Sequence, residues 1–245
     1  MRKLRLTVQY DGTDYAGFQI QPNAATIQGE LEQTLADLLG HPVRVQAASR
    51  TDAGVHALGQ VVAFETDNPI PAENLAKALD DKLPVAISAV AAHEVAGDFD
   101  PQRDARRKLY CYQILNRTVS SPFLGRYAWH VSKCLDDGAI CEAGSVLLGR
   151  HDFAAFCASG SSVRSTVRTI YRLNICREGD MFRIYVEADG FLYKMARIMV
   201  GTLVEVGWGR MAPDVVGEIL ASGDRRQAGP TAPGCRLWLV EVSYD

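Results

Sequence analysis

Hydrophobic spacing in this chain switches between a period of two and a period near four, and it does so in the same order twice. Leu4, Leu6, Val8 and Tyr10 alternate, as one face of a strand does. Ile27, Leu31, Leu35 and Leu38 then step by four, four and three, which predicts a helix with Thr26 as N-cap and Gly40 at its end. Strands are expected at Val43 to Ala48 and at Gln60 to Glu65. Pro71 opens a second helix through Leu75, Leu79 and Leu83, closed by Pro84. Ile87 to Glu94 completes the half as a strand. The order is β-α-β-β-α-β.

The second half follows the same plan. Leu109 to Asn116 reads as a strand and Leu135 to Leu148 as a helix stopped by Gly149. Val167, Thr169, Tyr171, Leu173 and Ile175 alternate, and Gly179-Asp180 turns the chain into Met181 to Ala188. Phe191, Met195, Ile198, Thr202 and Val206 form a helical stripe. An inserted helix, Asp214 to Ala221, precedes a last strand at Arg236 to Ser243. The pattern predicts two split β-α-β units in tandem. Their boundary is expected near Gly97 to Arg103, where Asp98, Asp100 and Pro101 interrupt the periodicity, giving halves of 1–102 and 103–245.

A chain of 245 residues, 47% apolar and 22% charged, has the balance of a soluble protein able to bury a core in each half. No segment approaches the ~20 apolar residues that span a bilayer, and the N-terminus reads as a strand, not a signal peptide. Six cysteines without a Cys-x-x-Cys pair, and scattered histidines, argue against metal and redox motifs and for core thiols in a reducing cytoplasm. A net charge of −3 is weak evidence against a nucleic-acid partner, so local distribution matters more. Arg103, Arg106, Arg107 and Lys108 cluster around Asp104. Arg164, Arg168 and Arg172 recur at a spacing of four, and on a regular strand they would form a basic stripe open to phosphate.

Between two apolar runs lies Ser49-Arg50-Thr51-Asp52-Ala53-Gly54-Val55-His56-Ala57, a stretch with little that looks built for packing. A strand connection needs only a short turn, and an Asp or Gly there usually does no more than shape it. This one presents Asp52 as a nucleophile or base, with Arg50 two positions away.

Arg50-Thr51-Asp52-Ala53-Gly54-Val55-His56-Ala57 resembles the signature loop of the tRNA pseudouridine synthase A family. Tyr10-Asp11-Gly12-Thr13 with Gly17 to Pro22 is similar to the family's opening segment, and Tyr110-Cys111-Tyr112 to its tyrosine strand. Gly149 to Phe153 matches its mid-chain turn, Gly190 to Arg197 with Val200-Gly201-Thr202 its late helix, and Pro230 to Pro233 its C-terminal approach. The resemblance implies an α+β fold of two ferredoxin-like halves with joined antiparallel sheets and a cleft between them. It also implies a cytoplasmic homodimer that isomerises uridine to pseudouridine in the anticodon stem-loop of tRNA, at positions 38, 39 and 40, with no metal or other cofactor.

By the same resemblance Asp52 is the catalytic carboxylate, which either adds to the base or captures the ribose. Arg197 is the cation that keeps it ionised and oriented. Tyr110 lies against the target base, and Arg50 fills the space left by an extruded nucleotide. Lys194 shares a helix face with Arg197 as a candidate phosphate contact. The family often has Arg where Gln102 stands, with Arg103 one position later. Without the resemblance Arg197 reads as a solvated helix residue, and Tyr110 and Tyr112 as core aromatics. Two other functions compete: an RNA-binding module of the same fold without catalysis, and a carboxylate hydrolase. Joint presence of Asp52, Tyr110 and Arg197 disfavours the first. The second needs another acid near the first, and the loop supplies none.

Overall fold

Leu4, Leu6 and Val8 have no accessible surface, as their alternation requires, and the strand that carries them is the spine of the first of two compact units. A computed structural model describes residues 1–160 and 163–245. Its units are Met1–Arg106 with Trp238–Asp245, and Arg107–Leu237. Both mix α-helices with mostly antiparallel strands.

In the first unit the elements are β1 (Arg2–Tyr10), α1 (Ile27–Leu39), β2 (Gln46–Ala47), β3 (His56–Thr66), α2 (Ala72–Asp80) and β4 (Ile87–Val95). β1 runs antiparallel to both β3 and β4, and β2 runs antiparallel to β3. Thr26 caps α1 by accepting from the Gly29 amide, and Gly40 ends it in the left-handed conformation at φ 79°. Ile27, Leu31 and Leu35 are fully buried along the helix; burying each stabilises by ~1.5–3 kcal/mol. β2 is far shorter than the six residues expected. Val43 and Val45 are buried without joining the ladder, so their apolar character serves packing and not pairing. β3 in turn begins at His56, four residues early, so the end of the signature loop is already strand.

The second unit holds β5 (Arg107–Asn116), β6 (Trp129–Val131), α3 (Asp137–Ser145), β7 (Gly149–Asp152), β8 (Val167–Glu178), β9 (Met181–Ala188), α4 (Met195–Gly207) and α5 (Val215–Ser222). β9 lies between β5 and β8, β7 pairs with β8, and β6 runs parallel to β5. The expected arginine stripe on β8 does not form. Arg164 precedes the strand, and the register slips between Ile170 and Arg172. An extra residue reverses the alternation, so Ile170 is buried while Tyr171 and Arg172 are both exposed. α4 starts at Met195 and not Phe191, because Lys194 takes the left-handed conformation at φ 58° and cannot continue a helix backwards.

The last strand, β10 (Leu237–Ser243), pairs in parallel with β3 through Trp238↔His56 and Leu239↔Ala57. Chain order gave no sign that it would lie beside β3. Its Trp238 ring stacks on His56 with centroids 4.3 Å apart.

Candidate active site

Along Ser49 to Asp52 the loop's side chains alternate between the interior and water. Ser49 and Thr51 are buried, while Arg50 is exposed and Asp52 half-buried. The inward pair is tied down closely. Fully buried Gln60 accepts from the Ser49 amide (3.2 Å) and donates to its carbonyl (2.7 Å). Tyr10 and Thr51 hydroxyls are 2.8 Å apart. The Thr51 carbonyl accepts from the Phe18 amide, and the Asp52 carbonyl from that of Val55. A Cβ on Gly17, at φ 109°, would stand 2.8 Å from the Thr51 oxygen and 3.1 Å from the Asp52 carbonyl carbon, so only glycine allows the opening segment to press on the loop here. His56 closes the loop. It has no accessible surface, and its Nδ1 lies 3.1 Å from Asp11 Oδ1 and 3.2 Å from the Gly12 amide, which fits a structural role at the loop's end. A fixed backbone with Asp52 on its accessible side suits a carboxylate that must meet substrate without reorganising.

In the second unit, Tyr110 faces Val186 across the β5–β9 ladder and is 8% exposed. Its ring meets Phe191 edge-on, with centroids 4.8 Å apart. Tyr112, two residues on, is fully buried and donates to the Pro233 carbonyl at 2.9 Å. Burial pushes its hydroxyl's pKa up, opposed by the charges of Arg197 and Arg236. Half-buried Arg197 donates from Nε to the Ala232 carbonyl at 2.8 Å, and its own carbonyl accepts from the Ala232 amide. Pro230 to Pro233 therefore anchors the guanidinium. Sequence reasoning matched this tetrapeptide to a family without giving it a task. Gln60 was missed as well; the available signal was an amide at the mouth of the apolar run Val61 to Phe64.

The basic residues are less free than their spacing suggested. Arg103 pairs with Asp104 at 2.9 Å, and Glu187 lies between Arg107 (3.0 Å) and Arg172 (3.2 Å). Arg107 also covers the Tyr171 ring at 4.6 Å. Lys194 Nζ stands 4.8 Å from the Tyr193 ring centroid. Burial, then the charge of Arg168, lowers the Lys108 amine to about 8 from 10.5. Between those values the unfolded chain binds the extra proton, so this group's contribution to stability rises with pH. Urea unfolding should show wild type gaining roughly 1–2 kcal/mol on a Lys108→Met variant between pH 7 and pH 9.5. A constant difference would refute the shift.

Residues 6–102 and 143–245 match the family model for tRNA pseudouridine synthase. The matched spans include Asp52 and Arg197; Tyr110 lies between them. Curated relatives named tRNA pseudouridine synthase A are similar end to end. One from Thermoanaerobacter sp. (strain X514) is 47% identical, with 100% of both chains covered. Another from Moorella thermoacetica is 47% identical over 98% of this chain and 99% of its own, and one from Pelobacter propionicus is 45% identical over 100% of both. With the signature loop, the tyrosine strand and the arginine helix all present in a chain alike over its whole length, this protein belongs to the tRNA pseudouridine synthase family.

Proposed function

We propose that the enzyme converts uridine to pseudouridine at positions 38, 39 and 40 of the tRNA anticodon stem-loop, with Asp52 as the catalytic carboxylate. The observation that carries this reading is Asp52 itself, half-buried on a loop whose neighbours are held from within. The isomerisation is redox-neutral: the N1–C1′ bond breaks, a C5–C1′ bond forms, C5 loses its proton and N1 gains one. Arg197, anchored by Ala232, is the cation that orients Asp52. Tyr110 stacks against the uracil, and exposed Arg50 fills the gap left by the extruded nucleotide. This assignment needs the two units to act together, as ferredoxin-like halves with joined sheets around a common cleft. The strand order β4, β1, β3 within the first unit, with β2 and β10 both pairing with β3, supports that description. A cytoplasmic homodimer is the proposed working form; among the described residues no helix is long and apolar enough to cross a membrane.

The direct test is incubation with total tRNA made without pseudouridine, followed by mapping of new sites. New pseudouridine at 38, 39 and 40 is the expected result. None in the anticodon arm would overturn the assignment.

A further inference from the structure

Gln60, Tyr10 and Thr51 form a hydrogen-bonded network inside the first unit. Gln60 is 0% exposed and Tyr10 3%. The Gln60 amide orientation is fixed, because the Ser49 amide can only donate and its carbonyl can only accept. Nε2 therefore faces the Ser49 carbonyl and, at 3.3 Å, the Tyr10 hydroxyl. Oε1 accepts from the amides of Ser49 and Val61, each at 3.2 Å. Both donors and both acceptor positions of this side chain are used. The Tyr10 hydroxyl carries the network on to Thr51 Oγ1 at 2.8 Å. One end thus grips residue 49 and the other residue 51, the neighbour of Asp52.

A loop could be packed at this point with apolar side chains. A satisfied polar network buried in low dielectric does something apolar packing does not: it specifies one geometry and penalises departures from it. Mispairing any member leaves a buried polar group unsatisfied.

We infer that Gln60, Tyr10 and Thr51 are positioning residues for Asp52, setting the direction from which its carboxylate meets the uridine. This rests on Asp52 being the catalytic carboxylate. Displacements near 1 Å can cost about a hundredfold in rate, so removing the network should slow the chemical step without weakening RNA binding.

The test uses the full-length protein and measures single-turnover pseudouridine formation, tRNA affinity and thermal unfolding for each variant. Tyr10→Phe and Thr51→Val each delete one hydroxyl with little change of shape. Both should lower the single-turnover rate constant roughly 10–100-fold, with tRNA Kd within about twofold. Thr51→Ser, which restores the hydroxyl, should recover most of the rate lost in Thr51→Val. If Tyr10→Phe does not fold, the Val and Ser pair at position 51 decides alone. Wild-type rates in the folded hydroxyl-deleted variants, or equal loss in Thr51→Val and Thr51→Ser, would overturn the inference. Asp52→Asn, run alongside, separates the two ideas: an active Asp52→Asn enzyme removes the functional reading itself, whereas an inactive one beside a fully active Tyr10→Phe removes only the positioning role.

Discussion

Asp52→Asn should reduce single-turnover pseudouridine formation below roughly one-thousandth of wild type, a loss of about 4 kcal/mol of transition-state stabilisation. The amide keeps the carboxylate's shape but lacks its charge and nucleophilicity. The loop is held by Gln60, Phe18 and Val55 through main-chain atoms that the substitution leaves in place, so the fold should persist. Affinity for tRNA should stay within a few-fold, because the phosphate backbone that dominates such affinity is met by cations and not by a carboxylate. Appreciable product from this variant, free of contaminating wild-type enzyme, would refute Asp52 as the essential group.

Gly201→Ala should damage both stability and rate, through a different route. An added Cβ would fall 1.8 Å from the Pro230 carbonyl oxygen and 2.9 Å from its carbon, both backbone atoms that cannot rotate aside. Gly229 is pinned on the same helix by donating to Thr202 Oγ1 at 2.9 Å. The segment must therefore move as a piece, taking the Ala232 carbonyl away from Arg197. Overpacking of this kind costs ~1–3 kcal/mol or more, and loss of the guanidinium's anchor adds a rate defect. Gly97→Ala is the control, since nothing lies within 4 Å of its added Cβ. Thermal unfolding and single-turnover rates indistinguishable between the two variants would show that the Pro230 segment does not constrain α4.

Sequence carried these arguments unevenly. α1 was legible to within a residue because its cap, its four-residue stripe and its terminating glycine all agree. β6 and β7 were invisible: three and four residues are too few for a period to register, and β7 is largely exposed. The slip in β8 was hidden for another reason. Alternation assumes an unbroken pleat, and no residue type announces the bulge between Ile170 and Arg172. Asp52 and Arg197 were singled out through motif likeness, not periodicity, since neither strand alternation nor helix spacing asks for a carboxylate or a guanidinium at these positions. What supports them is harder to read. The Ala232 carbonyl is a backbone atom with no signature of its own, and Gln60 becomes informative only once its burial beside Ser49 is known.

The parallel pairing of Trp238 with His56 sets an order of events during synthesis. β1, α1, β3 and β4 leave the ribosome early and can associate through contacts close in sequence. The neighbour of His56 is made only after Arg107–Leu237 has been translated. Until then the His56 end of β3 lacks its stacked indole, and that end is where the Asp52 loop joins the strand. Contacts this distant in sequence form slowly because a long loop must first close. Support of the loop is thus coupled to synthesis of β10, so a nascent or truncated product lacking that strand would carry Asp52 without it.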